Sequence, residues 1–596
     1  MKQLFTLSLL ILFSWSKLLS QAEQDLPRGY SPAEKAQLLS KKFEPFFPEG
    51  FSGPPPVPVR AMGEWEELQA LLISWQASDN SRRDILTEIV RAARQECKVV
   101  VCCDNQFVLT SAQNYLVSKN VDISSNVEFL LVPNNSIWIR DYGPNCVYAN
   151  GTDSLFFIDW RYNRLTRPKD DTLSNTVAKH LNIPLFTTSS APADLVHTGG
   201  NFMSDGWGTA FSSSLILNEN APGNLYGVSV KTESQINGIM QEYMGINKYI
   251  KMAPLPYDLI HHIDMHMKLL DEETILVGKY PDGVADGPQI EANIQYVLSN
   301  FKSVFGTPYR IIRIPMPPDN GFYPDSDGDY RTYANAVFVN KTVLVPFYEE
   351  RFDTTAQRIW EESLPGYNIV GINSNAIISS FGAIHCITKE VGVSDPVHIV
   401  HQKLPCLDNA QYLEYPVWAH ISHRSGIASA KIYFTTDLSQ PWQMVDLPYY
   451  PLDDTIWNYH GFIPQQSAGS TVYYYIEATA NNGKTITRPL VAPQGYWQFC
   501  VTESVNAPEI PTVELASVYP NPASAITVIP VHASTSTPGQ INLYNTLGQL
   551  VQQIFAGTFS AGNTNYFIDA SGFPTGTYLV ELRSGNQASV QKLIIR

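Results

Sequence analysis

The stretch SSFGAIHCITK, residues 379–389, places Cys386 directly after His385 at the end of an apolar run that contains Gly382. A cysteine in such a place is a nucleophile, half of a disulfide, or a small core residue. The chain has seven cysteines in 596 residues, and because this number is odd, at least one is unpaired or pairs between chains. Cys386 is our candidate for a free cysteine.

A reactive thiol needs an acid or base within hydrogen-bonding distance. His385 is a poor partner for Cys386 if the segment is extended, because successive side chains then point to opposite faces. The stretch LIHHIDMHMK offers a better partner, because in a strand its His262, Asp264 and His266 share one face. A strand with a polar solvent face and a zinc site built from the same side chains are the alternatives.

A second carboxylate comes from NNSIWIRDYGPN, residues 134–145, where Asp141 lies between a strand-like run and the turn at Gly143 and Pro144. On its own, an acid in this place is as readily a turn cap. A thiol, a histidine and two carboxylates together favour attack on a guanidinium, which is a planar cation with five N–H donors. Two carboxylates bind such a group through its nitrogens and leave the central carbon open from one face.

This hypothesis gives each of the four side chains a role. Asp141 and Asp264 hold the guanidinium, and Cys386 adds to its carbon. His262 protonates the departing ammonia and later activates the water that releases a covalent thiouronium intermediate. An arginine would leave as citrulline.

The composition of the whole chain limits its partners. The formal net charge is -16 and no basic block is present, which argues against nucleic acid and leaves small or cationic substrates open. Residues 1–22 have the order of a signal peptide, with Lys2 before an apolar stretch and small polar residues after it. No other segment approaches the roughly 18 apolar residues that span a bilayer. We therefore expect a secreted protein without a transmembrane segment.

Composition also divides the chain. Residues 23–58 are rich in proline and charge without periodicity, which is typical of a leader or extended linker. In residues 59–395, short apolar runs such as KVVVCC alternate with helix-like stretches such as SRRDILTEIVRAARQE, which predicts an α/β domain. We expect KVVVCC to be a buried strand whose two thiols are packing residues.

The rest of the chain has β-sheet patterns. Residues 396–505 contain alternating aromatic and β-branched runs such as TVYYYIEATA and the turn pair Asn482-Gly483, which predict an immunoglobulin-like β-sandwich. Cys406 and Cys500 bracket it and could close it, although sequence cannot give connectivity. A proline-containing linker at 506–516 precedes a small β-module at 517–596.

Several motifs occur in one order along residues 59–395: RAMGEWEELQALLISW, WIRDYGP, HTGGNFMSDGWG, HHIDMHMK, RTYANAVFVN and FGAIHCITK. In this order they resemble the guanidino-group-modifying superfamily, most closely its branch of Porphyromonas-type peptidylarginine deiminases and agmatine deiminases. The resemblance implies a five-bladed α/β-propeller, or pentein, fold. It assigns Asp141, His262, Asp264 and Cys386 the roles argued above and adds Asn335 as an active-site residue.

The resemblance also implies catalysis without a cofactor or a metal and without calcium. The acidic loop DSDGDY, residues 325–330, invites a calcium assignment but fails the EF-hand pattern, because Tyr330 stands where glycine is needed and Ala336 where the bidentate acid is needed. We expect a solvated loop near the site.

The last module resembles the C-terminal sorting domain of the type IX secretion system. The motifs are Tyr519-Pro520-Asn521-Pro522, then LYNTLGQLV and PTGTYLVELRSGN. This resemblance implies the secretion machinery as a partner and a location outside the cell or on its outer surface.

Export favours arginine-containing peptides or proteins as substrates. An exported agmatine or free-arginine deiminase is the alternative within this class, and an inactive surface-binding protein on the same scaffold is the alternative outside it. In WRYNRLTRPKDD, Arg164 and Arg167 suit the carboxylate of a C-terminal arginine, although two surface arginines without a ligand stay possible. Trp138 either walls the pocket or belongs to the core.

Overall fold

The computed structural model describes residues 25–40, 50–319, 321–323, 331–452, 455–503, 513–585 and 587–596. The predicted signal peptide at 1–22 and the acidic loop at 325–330 lie outside these residues. No helix within the described ranges is both long enough and apolar enough to cross a bilayer.

Residues 25–31 form neither helix nor strand, bend at Arg28 and Gly29, and lead into helix Pro32–Leu39, within the segment predicted as a leader or linker. A capping box starts this helix. The backbone N–H of Glu34 donates to the Ser31 hydroxyl, and the Glu34 carboxylate accepts from the Ser31 N–H at 2.8 Å. The sequence analysis missed this short helix because eight residues show too little periodicity.

The predicted α/β domain is confirmed. Its strands are β1 (Val59–Ala61), β2 (Leu68–Ser74), β3 (Lys98–Cys103), β4 (Val127–Leu131), β5 (Asn145–Ala149), β6 (Leu155–Asp159), β7 (Leu185–Thr187), β8 (Met203–Ser204), β9 (Thr209–Ser213), β10 (Lys248–Met252), β11 (Met267–Leu269), β12 (Thr274–Lys279), β13 (Arg310–Pro315), β14 (Val337–Val339), β15 (Thr342–Phe347), β16 (Asn368–Asn373) and β17 (Thr388–Gly392). Its helices are Asn80–Ala93, Gln106–Ser118, Ile139–Tyr142, Leu173–Leu181, Leu215–Glu219, Glu233–Met244, Gly287–Asn300, Glu350–Ser363 and Asn375–Ile378.

These strands form separate small sheets with the orders β1-β5-β6-β7, β10-β9-β8, β11-β12-β13, β14-β15-β16 and β17-β2-β3-β4. Each sheet combines antiparallel with parallel pairs; for example, β12 pairs antiparallel with β11 and parallel with β13. Strand β17 pairs with β2, so the end of the domain returns to its beginning. Whether the sheets stand as blades around one axis stays a prediction.

Local sequence explains the elements. The run KVVVCC forms β3, and its two cysteines are fully buried, as predicted. Helix Asn80–Ala93 begins at Asp79, whose side chain accepts from the Arg82 N–H, and its apolar residues at positions three and four apart face the core.

The second unit is built from two sheets. Its strands are β18 (His398–His401), β19 (Leu407–Asp408), β20 (Glu414–Ser422), β21 (Ile427–Thr435), β22 (Gln443–Asp446), β23 (Tyr459–Pro464), β24 (Thr471–Ala480), β25 (Thr485–Arg488) and β26 (Trp497–Thr502). Strands β18-β20-β23 form one sheet; β19-β26-β24-β21-β22, with β25 on β24, form the other. The hairpin at Asn482-Gly483 and the Cys406–Cys500 disulfide are confirmed. Immunoglobulin-like topology stays a prediction.

The third unit also has two sheets. Its strands are β27 (Val513–Leu515), β28 (Ile526–Ala533), β29 (Thr537–Asn545), β30 (Leu550–Phe559), β31 (Gly562–Asp569), β32 (Gly576–Ser584) and β33 (Gln587–Ile595). They pair in the orders β27-β28-β31 and β30-β29-β32-β33. Strand β27 lies within the predicted linker at 506–516, but its pairing with β28 makes it part of this module. The module packs on the α/β domain, where the Tyr519 hydroxyl donates to Glu362 at 2.9 Å.

Candidate active site

Cys386 lies on a single 3₁₀ turn, His385–Ile387, immediately before β17, and its side chain is fully buried. The expectation of an extended segment is therefore wrong here. The turn is preceded by Phe381, which adopts a left-handed φ of 68°, and by Gly382. A Cβ on Gly382 would lie 3.0 Å from the Cys386 sulfur and 2.4 Å from the Trp138 ring, so only glycine fits between them.

The stretch with His262 and Asp264 is not a strand either. His262 is extended, residues Ile263–Met265 form a 3₁₀ turn, and only then does β11 begin. Asp264 lies in this turn and His266 follows it, so the two side chains do not share the face of a strand. Both ring nitrogens of His266 are buried without a hydrogen-bond partner. Across the described ranges, no three His, Cys, Asp or Glu side chains converge as metal ligands would. The alternative of a zinc site on this stretch is not supported.

Asp141 lies on the short helix Ile139–Tyr142 rather than at a strand end. This helix places the Asp141 carboxylate opposite Asp264, so the two acids predicted to bind a guanidinium do face one another. Between them lies the side chain of Arg28, which belongs to residues 25–40, here called the N-terminal segment.

The Arg28 guanidinium is held by five hydrogen bonds. Its Nε and Nη2 donate to Asp141 at 3.0 and 2.8 Å, and its Nη1 and Nη2 donate to Asp264, both at 3.0 Å. Nη1 also lies 2.7 Å from the Cys386 sulfur. Both carboxylates thus bind the fork of N–H donors, which is the arrangement that a guanidinium requires. No pattern in the sequence predicts that the chain itself supplies this ligand.

His262 lies at the edge of the same site. Its Nε2 is 3.0 Å from the Thr198 hydroxyl and its Nδ1 is 3.4 Å from Asp141. The glycines of the HTGG motif make this approach possible. A Cβ on Gly200 would lie 1.7 Å from Arg28 Nη2 and 2.8 Å from His262 Nδ1, so any side chain there would occupy the space of the guanidinium.

Asn335 positions the loop that carries the thiol. Its side-chain oxygen accepts from the backbone N–H groups of Ala383 and His385, at 3.2 and 3.1 Å. Its amide nitrogen donates to the Asp264 carbonyl and lies 3.1 Å from the Cys386 sulfur. Asn335 therefore connects the two turns on which Asp264 and Cys386 lie.

The three predicted substrate-binding residues all contact the N-terminal segment. The Trp138 ring donates to the Leu26 carbonyl at 2.8 Å, and Arg164 Nε donates to the Arg28 carbonyl at 3.1 Å. Arg167 forms an ion pair with Glu34, with Nε donating at 2.7 Å. All three side chains are buried, so they are not surface residues without a ligand.

Arg167 also donates to the carbonyls of Pro27 and Gly29, at 2.7 Å each. On the other side of the segment, the backbone N–H of Arg28 donates to the Ser380 carbonyl at 2.9 Å. The backbone on both sides of Arg28 is therefore held by polar contacts.

A charged network supports the site from behind. His385 lies between Asp264, 2.9 Å away, and Glu64, 3.0 Å away, and Glu64 is also paired with Lys268. Beside it, Arg140 binds both oxygens of Glu390. We argued from an extended geometry that His385 does not partner Cys386. The segment is a turn instead, and on it the His385 ring contacts and orients Asp264.

The charges determine which protonation states are stable. Burial raises the pKa of the Cys386 thiol well above its ordinary value, although the Arg28 cation opposes this shift. Burial is the largest single effect at Asp141 and Asp264 and would raise the pKa of both. Arg28, together with His262 and, at Asp264, also His385, outweighs burial and holds both pKa values below their usual range. Burial and Arg28 lower the pKa of His262. The site therefore combines ionised carboxylates with a neutral thiol and a neutral imidazole.

Sequence reasoning missed several residues of this network and the ligand itself. Glu64, Arg140, Lys268 and Glu390 lie within or next to the motifs quoted above, as charges inside otherwise buried runs. A buried charge needs a partner, so this signal was available. Arg28 gave no such signal, because it lies in a polar segment without periodicity.

Comparisons with known proteins agree with this architecture. The family model of Porphyromonas-type peptidyl-arginine deiminases matches residues 60–391, and that of a secretion-system C-terminal sorting domain matches residues 517–596. Among solved structures, the agmatine deiminase of Enterococcus faecalis superimposes with a TM-score of 0.50 at 19% identity, covering 58% of this chain and 98% of that one. This likeness concerns the fold alone.

Two curated relatives are provisionally named agmatine deiminases. The protein from Mycoplasma mycoides is 24% identical over 363 residues, which cover 55% of this chain and 94% of the relative. The protein from Vibrio parahaemolyticus is 25% identical over 361 residues, which cover 55% of this chain and 95% of the relative.

The α/β domain therefore has the fold of the arginine and agmatine deiminases. Because the first family model covers more than half of the chain, the protein belongs to the Porphyromonas-type peptidyl-arginine deiminase family. Its last module is a sorting domain of the type IX secretion system, which directs a protein to the cell surface or into the medium.

Proposed function

We propose that the protein is a peptidylarginine deiminase, which hydrolyses the guanidinium of arginine in peptides or proteins to citrulline and ammonia. One observation carries this proposal: the guanidinium of a peptide-bound arginine, Arg28, lies between Asp141 and Asp264 with a nitrogen 2.7 Å from the Cys386 sulfur. The ligand is an arginine within a polypeptide, and the site contacts the backbone as well as the side chain.

The proposed reaction keeps the roles predicted from the sequence and adds one step, the transfer of the thiol proton to His262. The two carboxylates fix the cation and leave its carbon to the sulfur. Because the resting thiol and imidazole are neutral, His262 accepts the thiol proton as sulfur attacks and passes it to the departing ammonia. His262 then deprotonates the water that hydrolyses the thiouronium.

Recognition of the backbone favours peptides over agmatine. Arg164 donates to the carbonyl of the bound arginine residue, and agmatine has no carbonyl or carboxylate at this position. A C-terminal arginine would offer a carboxylate to Arg164, which can strengthen the bond, so a preference for C-terminal arginine stays a prediction. Agmatine and free arginine are the second candidates, on the strength of the names of the curated relatives.

A panel of substrates tests this proposal. Ammonia and citrulline would be measured with a peptide containing internal arginine, a peptide ending in arginine, free arginine and agmatine, using the full chain and the full chain with Arg28→Gln. We expect kcat/KM for either peptide to exceed that for agmatine. A higher kcat/KM for agmatine would favour the second candidate, and no turnover of any of the four by either folded chain would support the inactive binding protein.

A further inference from the structure

The N-terminal segment, residues 25–40, fills the candidate active site completely. Arg28, Asp264, His262 and Cys386 have no measurable exposure, and Asp141 is 4% exposed. An external arginine and Arg28 therefore cannot occupy the site together. The question is whether Arg28 only blocks the site or also reacts there.

The segment is held by specific contacts along its length. Asp25 forms an ion pair with Arg82 at 3.1 Å, and the Tyr30 hydroxyl donates to the Asn163 carbonyl at 2.8 Å. At the start of the helix, the Glu34 carboxylate binds Arg167 and accepts from the Thr166 hydroxyl at 2.7 Å. With Arg28 bound by both site carboxylates, the segment has anchors before, at and after the arginine.

The position of Arg28 satisfies what the proposed reaction needs. Its Nη1 lies against the sulfur, which puts the guanidinium carbon next to the nucleophile. Its Nη2 and the His262 Nδ1 both lie within 3 Å of the point where a Gly200 Cβ would stand. The imidazole and this guanidinium nitrogen therefore border the same small space, which Gly200 leaves open. Arg28 thus occupies the place that the proposed reaction gives to its substrate, with both carboxylates and the thiol on its guanidinium.

We infer that Arg28 is a substrate of the active site of its own chain and is converted there to citrulline. The inference rests on the proposed function. Because the segment is covalently attached, its effective concentration at the site is of millimolar order, so it reacts before a dilute external peptide. The product is neutral, so the ion pairs with Asp141 and Asp264 are lost and the segment yields the site to other arginines.

The reaction balances without any further reactant than water. The sulfur forms a bond to the guanidinium carbon, the thiol proton passes through His262 to one Nη, and that nitrogen leaves as ammonia. Water then adds to the same carbon and the carbon–sulfur bond breaks. One proton of the water returns to the sulfur, and the other passes through His262 to the released ammonia, which departs as ammonium. Arg28 has exchanged an imino nitrogen for an oxygen, and nothing has been oxidised or reduced.

Mass spectrometry of residue 28 tests this inference directly. The full-length chain would be purified as wild type and as Cys386→Ala, digested, and residue 28 identified as arginine or citrulline. We expect citrulline in the wild type and arginine in Cys386→Ala. Wild-type enzyme added to the Cys386→Ala chain should convert Arg28 of that chain much more slowly than the wild type converts its own Arg28. The reason is that Arg28 of the variant is buried in the variant's own active site. Equal rates would contradict a reaction within one chain.

A kinetic experiment tests whether Arg28 delays the turnover of an added arginine peptide. Freshly folded wild type should release ammonia from an added arginine peptide after a lag, whereas Arg28→Gln should show none. Glu34→Ala removes a buried anchor and should raise the initial rate by about tenfold or more. Lys35→Ala, on the exposed face of the same helix, is the matched control and should keep the wild-type lag.

The outcomes separate this inference from the proposed function. If residue 28 stays arginine while wild type or Arg28→Gln converts external peptides, the proposed function stands and self-deimination is overturned. A lag that persists in Arg28→Gln also overturns it. If neither chain converts external arginine and residue 28 stays arginine, the proposed function itself has failed.

Discussion

At the scale of single residues, Gly200 leaves the space in which the bound guanidinium lies. We expect Gly200→Ala to lower kcat/KM for an arginine peptide by about 100-fold, because its Cβ would stand 1.7 Å from the present position of Arg28 Nη2 and would displace any guanidinium from the sulfur. Steady-state kinetics of ammonia release would measure the loss.

Gly238 offers the matched control. It lies in helix Glu233–Met244 with a φ that alanine tolerates, and its added Cβ would meet no atom within 4 Å apart from the adjacent backbone of its own helix. Gly238→Ala should therefore keep full activity and slightly raise the stability of the helix. Equal activity of the two alanine variants would contradict the placement of the substrate beside Gly200.

His262 is the second residue whose role is directly testable. His262→Gln should lower kcat by about 100-fold or more, because a positioned acid–base group typically contributes that factor. Binding should suffer less, since Asp141 and Asp264 hold the guanidinium. His180→Gln, at a partly exposed imidazole that pairs with Glu128, serves as control and should turn over normally. A His262→Gln enzyme with near-normal kcat would remove the proposed proton transfer.

At the scale of elements, strands and long helices were predictable and the functional turns were not. The KVVVCC strand and the helix after Asp79 follow from periodicity and capping, which are local properties. Cys386 and Asp264 lie on single 3₁₀ turns, where neither the period of a strand nor that of a helix applies. The side chains named from the sequence do converge around Arg28, but the argument from shared strand faces gave the wrong local geometry.

The loop with Arg164 and Arg167 binds the backbone at and beside Arg28, because Arg164 donates to the Arg28 carbonyl and Arg167 to the carbonyls on either side of it. In a chain that carries Arg28→Gln, we expect Arg164→Ala with Arg167→Ala to raise KM for a C-terminal arginine peptide by about tenfold or more, because each loses a charge-assisted hydrogen bond. The effect on kcat should be small, since neither side chain contacts the reacting atoms.

Comparing peptides with C-terminal and internal arginine separates two forms of this recognition. A larger rise in KM for the C-terminal peptide would support the predicted carboxylate clamp. Equal rises would mean that the pair recognises the peptide carbonyl only. Arg91→Ala, at an exposed arginine of helix Asn80–Ala93, is the control and should change neither value. An unchanged KM for both peptides would contradict a role of Arg164 and Arg167 in binding.

At the scale of the whole molecule, the Cys406–Cys500 disulfide joins residues 94 positions apart in the β-sandwich. Replacing both cysteines by serine should destabilise the sandwich by about 2–4 kcal/mol, because the unfolded chain gains freedom. Thermal unfolding would measure the change, and deimination should persist. A reductant should lower the unfolding temperature of the wild type to that of the double-serine variant. The unfolding temperature of the variant should not change. Identical unfolding of wild type with and without reductant would contradict a stabilising disulfide.

The assembly of the molecule shows where sequence reasoning ends. Composition separated the α/β domain from the two β-rich units, because each has its own periodicity and turn residues. The order of the small sheets could not be derived, since it depends on contacts between strands far apart in sequence, such as β17 with β2. The same limit hid Arg28, which is 358 positions from the sulfur that it approaches.

The central claim is that Cys386 forms a covalent bond with the guanidinium carbon of a peptide arginine. The most direct measurement is acid quenching of the Arg28→Gln chain during turnover of an added arginine peptide, followed by mass spectrometry of the cysteine-containing fragments. We expect an adduct on Cys386 with the mass of the peptide less ammonia, and none on Cys97, Cys102, Cys103 or Cys146. Steady formation of citrulline in a Cys386→Ala chain, or an adduct on another cysteine, would contradict it.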